Sequence, residues 1–238
     1  MDAYDRGDYA TALREIRPLA EQGDANAQGL LGVLYDNGRG VPQDSILARQ
    51  WFEKAAAQGN VVAQYNLGVM YRDGEGVPQD SVQARQWFEK AAAQGLAVAQ
   101  YGLGKLYFDG RGGQKDYTKA RQWYEKAAAQ GYAAAQANLA LLYYNGEGVP
   151  QDYQQALRWF RLVADQGDAH GQVMLGGMYE QGKGVPQDYV QAHKWYNLGA
   201  ANGEKLGVEA RDLLARQMTH TQIAEAQQLA REWKPVKK

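Results

Sequence analysis

Residues 63–95 read AQYNLGVMYRDGEGVPQDSVQARQWFEKAAAQG. Ala63, Leu67, Met70 and Tyr71 stand at i, i+4, i+7 and i+8, one face of an α-helix. Gly74 stands where a left-handed residue stops such a helix, and Gly76 is expected to loosen the connection. In Val77-Pro78-Gln79-Asp80 the proline cannot continue the first helix. Asp80 is a natural N-cap for a second helix, with Gln83 at capping-box spacing. That second helix is expected to bury Ala84, Trp87, Phe88 and Ala91 and to end at Gln94-Gly95.

The same unit recurs in both directions. Gln-Gly stands at 22–23, 58–59, 94–95, 130–131 and 166–167, and Asn202-Gly203 continues the series at the same 36-residue spacing. Trp51, Trp87, Trp123, Trp159 and Trp195 keep that period, as do Tyr35, Tyr71, Tyr107, Tyr143 and Tyr179. The expected organisation is one solenoid over 1–238: a half repeat at 1–22 whose helix is 7–22, and full helix pairs at 23–58, 59–94, 95–130, 131–166 and 167–202. A modified half repeat and a closing helix fill 203–238, the former helical over roughly 204–217 and the latter from Thr219 to about Trp233. The sum is thirteen helices and no strand, because no segment alternates with period two.

Composition removes several function classes. The 26 basic and 27 acidic residues leave a net charge of -1, so no global basic excess recruits nucleic acid. The one basic run, Lys234, Lys237 and Lys238, reads as a solvated chain end. With no cysteine, disulfides, thiolate metal sites and a cysteine nucleophile are all absent. No apolar run has the length of a membrane span, so no direct membrane insertion is expected.

The motif at 63–80 followed by Ala84-x-x-Trp87-Phe88-x-x-Ala91-Ala92 resembles the Sel1-like repeat, a relative of the tetratricopeptide repeat, and the resemblance covers about residues 4 to 233. It implies a right-handed α/α superhelix with a concave side, and adaptor or scaffold roles in bacterial envelopes, secretion and host contact. Some members act as immunity or inhibitor proteins. The β-lactam-binding branch depends on disulfides that this chain cannot form.

Catalysis has little to draw on. Ser45 and Ser81, the only serines, follow the N-cap position and serve helix initiation. His170, His193 and His220 share no i, i+4 pair, so no helical metal pair exists. Asp44, Asp80, Asp116, Asp152 and Asp188 read as caps. No catalytic, cofactor or metal residue is assigned. The Trp column reads as core packing, and the small-residue column Gly32, Gly68, Gly104, Ala140, Gly176 as close helix contact.

Columns that differ from copy to copy are free of the stacking constraint. Aligned with the tetratricopeptide first helix, the concave positions include Gly29, Tyr65, Tyr101, Ala137, Val173; Val33, Val69, Lys105, Leu141, Gly177; and Asp36, Arg72, Phe108, Tyr144, Glu180. Tyr65, Val69, Arg72, Tyr101, Lys105, Phe108, Leu141 and Tyr144 form the candidate partner site, aromatic and cationic as hot spots are. Tyr65 and Tyr101 have a second reading, packing between repeats. The expected function is a non-enzymatic scaffold, monomeric, binding a protein or peptide. The alternatives are an immunity protein for a toxin, or an envelope glycan-binding or hydrolase-accessory protein. Met1-Asp2-Ala3-Tyr4-Asp5 is polar and no signal peptide. The expected location is periplasmic or secreted, with a leader removed from ahead of Met1, or else cytoplasmic.

Overall fold

The computed structural model describes residues 2–236; Met1, and with it Lys237 and Lys238 of the basic tail, lie outside the described residues. Among the described residues the chain is all-α, with fourteen helices and no strand. It divides into two compact units between Asp116 and Tyr117. The first unit holds α1 (Asp2–Asp5), α2 (Tyr9–Glu21), α3 (Ala25–Asn37), α4 (Ser45–Ala57), α5 (Val61–Asp73), α6 (Ser81–Ala93) and α7 (Ala97–Asp109). The second holds α8 (Tyr117–Ala129), α9 (Ala133–Asn145), α10 (Tyr153–Asp165), α11 (Ala169–Gln181), α12 (Tyr189–Ala201), α13 (Lys205–Ala215) and α14 (His220–Glu232). In each unit, helices pack in chain order as a solenoid of helix pairs, except that the closing helix α14 packs on α12 rather than on α13.

The fourteenth helix, beyond the thirteen expected, is α1, a single turn where later copies carry the Gly-x-Gly-Val-Pro loop. Ala3 is buried there and Tyr4 packs edge-on against Tyr9. At the other end α13 and α14 fall where expected. Thr219 and Gln222 make a reciprocal capping box, each side chain bonding the other residue's backbone N–H.

Each pair is bounded by its polar residues. Asn60 accepts from Ala63 N–H at 2.9 Å to start α5, and Gly74, at φ +79, stops it with its N–H on the Met70 carbonyl. Gln79 Nε2 then donates to the Arg72 carbonyl at 2.6 Å, and Asp80 accepts from Val82 and Gln83 N–H to open α6. Gly76 does not loosen this loop. At φ +68 it presses on the start of α4, where a Cβ would stand 2.7 Å from the Ser45 carbonyl oxygen. The loop is docked on the preceding second helix, and glycine is there because no side chain fits.

The tryptophan column also needs correction. The residue sealed inside each pair is the neighbour of the tryptophan: Phe52, Phe88 and Phe160 are 0% exposed. Phe88 fills the space left by Gly68, whose added Cβ would lie 2.5 Å from the ring. Trp51, Trp87 and Trp123 are half-buried at the edge, with Lys54, Lys90 and Lys126 Nζ 4.3, 3.9 and 4.0 Å from their ring centroids. Trp195 differs and is buried, because Trp233 packs edge-on against it and the tail is tied down by Val236 N–H on the Asp165 carbonyl at 2.8 Å.

A buried glutamine also recurs in the first helices. Gln64 Nε2 donates to the Ala56 carbonyl of the preceding helix and its Oε1 accepts from Gln94 Nε2 at 2.8 Å. Gln28 and Gln172 are held in the same way. The side chain thus satisfies an orphan carbonyl at the end of one second helix and ties in the cap of the next.

Candidate partner-binding face

In the first unit, α5 carries Tyr65, Val69 and Arg72, and α7 carries Tyr101, Lys105 and Phe108 at the matching turns. Lys105 is exposed and the other five are half-buried. Tyr65 and Arg72 are engaged inside the unit. The Tyr65 ring lies 5.7 Å from that of Phe88, so part of its surface serves the core. Arg72 forms a two-pronged pair with its neighbour Asp73, at 2.8 and 2.6 Å. That hydrogen-bonded pair holds the Asp73 carboxyl below its ordinary range. Arg72 therefore offers a neutralised, planar surface rather than a free cation.

In the second unit, Leu141 and Tyr144 rest on the core. Tyr144 packs edge-on against Tyr153, and its hydroxyl accepts from Lys183 Nζ at 2.6 Å. Lys183 reaches over from the α11–α12 loop and was not singled out in the sequence.

Beside Tyr144, a groove of about 430 Å³ opens between α11 and α13. Its floor is Gly177, its walls include Met174, Leu206 and Leu213, and Glu209 stands at the edge. Tyr196 of α12 closes the bottom, donating its hydroxyl to Glu180 Oε2 at 2.5 Å. Burial first, and then the Glu180 carboxylate, push this phenol far above its ordinary range, so it stays a donor. A smaller groove of about 210 Å³ in the first unit is lined by Gly29, Leu30 and Val62. Both open where a variable first-helix column carries glycine. That signal was readable in the columns, but the space it makes depends on the neighbouring helix.

Among the described residues, no group of three or more His, Asp or Glu is placed to hold a metal ion, and no helix is long and apolar enough to cross a membrane.

The Sel1 repeat family model matches residues 25–60, 61–96, 97–132, 133–168 and 169–204, the five copies read from the sequence in a frame two residues later. A Sel1 repeat protein from Oxalobacter formigenes is 33% identical over 98% of this chain and 94% of its own, with a TM-score of 0.85. A sel1 repeat protein from Klebsiella pneumoniae is 27% identical over 84% of this chain and 98% of its own, with a TM-score of 0.52. Comparison with curated proteins gives no match.

Proposed function

This chain belongs to the Sel1 repeat family, and from that premise we propose that it is a non-enzymatic adaptor holding a protein or peptide partner on its first-helix face. Sel1 repeat proteins typically mediate protein–protein interaction. The observation that supports this reading is a division of labour along each first helix. Ala63, Gln64, Leu67 and Met70 are buried, and their counterparts in later copies repeat the same contacts. The residues between them, with Val69, Arg72, Tyr101, Lys105 and Phe108 in the first unit and Leu141 and Tyr144 in the second, keep surface exposure, and their columns change from copy to copy. A periplasmic or secreted location, drawn from the family resemblance, belongs to the same proposal; cell fractionation that finds the chain only in the cytoplasm removes it.

The test uses the full chain. A partner captured on it is titrated by calorimetry against the unaltered protein and against K105A/F108A. The double variant is expected to bind more weakly by about 2 kcal/mol, with an unchanged circular dichroism spectrum. Unchanged binding by that variant, with loss in Glu125→Arg on the second-helix side, assigns the partner to the opposite face.

A further inference from the structure

We propose that the groove between α11 and α13 is the seat of an amphipathic helix of a partner protein, one that brings an apolar stripe flanked by a basic residue. This rests on the adaptor reading and gives it a specific site and ligand chemistry.

Gly177 makes the room. The same column holds Val33, Val69, Lys105 and Leu141 in the other copies. Gly177 lies inside α11 at no unusual φ, so the backbone does not require glycine there. Close packing does not require it either: an added Cβ would meet only the Tyr196 hydroxyl, at 3.5 Å. Gly176, next to it, is different, because its Cβ would strike the Tyr196 ring at 2.7 Å. Glycine inside a helix costs about 1 kcal/mol relative to alanine, and here the fold gains nothing for it except an open groove.

The walls fit an apolar helix face. Leu206 and Leu213 are 56% and 57% exposed and stand at i and i+7 on α13, one stripe of that helix. Met174 faces them across the floor and supplies an adaptable apolar wall. Neither α11 nor α13 offers a free strand edge, so addition of an extended peptide has no ladder to join, whereas a helix in a groove needs only side chains.

Charge sets the flank. Glu209, exposed on α13, makes no ion pair among the described residues, and the other nearby carboxylate, Glu180, is already engaged by the Tyr196 hydroxyl. Of the nearby cations, Lys183 is held by Tyr144 and Arg211 by Asp212 and Asn197. Lys205 is exposed at the start of α13. The unpaired carboxylate at the groove edge therefore calls for Lys or Arg on the incoming helix.

The probe is a pair of stapled helical peptides with leucines at i, i+4 and i+7, identical except for a flanking Lys or Glu. Each is titrated into the full chain carrying 13C-methyl methionine. The Lys peptide should bind about tenfold or more tighter than the Glu peptide, and should shift the Met174 methyl signal while leaving Met70 in place. Gly177→Leu should weaken it by about tenfold or more at an unchanged melting temperature. Leu213→Ser, at an exposed position, should do the same and covers the case in which G177L fails to fold. Glu209→Lys should reverse the preference. Binding of neither peptide, equal binding of both, or binding indifferent to G177L and L213S overturns the proposal. So does a dimer of the unaltered chain that G177L dissolves, because the occupant is then a second copy. A captured partner lost by K105A/F108A but kept by G177L sinks the groove and leaves the adaptor reading standing. No protein or peptide bound by the unaltered chain sinks both.

Discussion

Phe88 and Tyr196 hold the same place in two copies of the repeat, one in each unit, and do different work there. Phe88 is a plain plug, sealed against Gly68, and the position after that glycine carries the side chain of Val69. Tyr196 plugs Gly176 in the same way, but its hydroxyl runs on to Glu180, and beside it Gly177 leaves the turn uncovered. The buried contacts match while the surface above them turns from covered and charge-neutralised to open and acidic. A repeat can therefore change what it offers to a partner without touching what it needs in order to stack.

Removing the plug should have the largest effect. Phe88→Ala is expected to cost about 3–5 kcal/mol in urea denaturation, against about 1 kcal/mol for the half-buried Trp87→Ala beside it. Equal costs would mean that the tryptophan shares the plug's role after all. Next comes the glycine pair. Gly68→Leu should destabilise by about 1–3 kcal/mol or more, because its side chain must enter the Phe88 ring. Gly177→Leu should be close to neutral. If both lose stability alike, the space over Gly177 is structural and the comparison breaks.

A smaller effect separates the two plugs themselves. Tyr196→Phe removes the hydroxyl that Glu180 accepts from, leaving a half-buried carboxylate to find water. The expected loss is about 1 kcal/mol, read by thermal unfolding. A stabilised variant would show that the Glu180 contact is strained in the native state.

The sequence carried the fold through its period, its Asp caps and its Gly stops, because each of those is a local requirement repeated in register. It could not say which of two adjacent aromatics is sealed. Trp87 and Phe88 both fit an i, i+3, i+4 stripe, and only the partner helix, with Gly68 facing Phe88, decides. The role of Gln64 is not legible in the sequence, because a polar residue inside a core is explained only by its partners, here the Ala56 carbonyl and Gln94. Gly76 reads as a loosening residue for the same reason, since the backbone it presses on belongs to the previous copy. At the candidate face, the variable columns were legible but their charge was not. Arg72 reads as a free cation in the sequence, whereas in the fold Asp73 holds it.

The last contrast concerns one column on the second helices: Arg49, Arg85, Arg121, Leu157 and His193. Arg85 is half-buried, with its Nε 3.7 Å from the Glu89 carboxylate, and it stays charged at every pH a folded protein meets. His193 is 2% exposed, and its Nδ1 has no partner among the described residues. Burial first, then the nearby Arg211 charge, lower its pKa below the ordinary 6.5, with Asp212 opposing more weakly. A lowered pKa on a base means that the unfolded chain binds the proton more readily than the folded one. The contribution is therefore complete above the unfolded value and falls away as the pH drops below about 6.5. Denaturation midpoints followed from about pH 7.5 to about pH 5.5, above the carboxylate range, should decline for the unaltered chain. His193→Leu, which installs the residue that α10 already carries at Leu157, should flatten that decline. An identical slope in the variant would place the pH response elsewhere and remove this distinction between the two units.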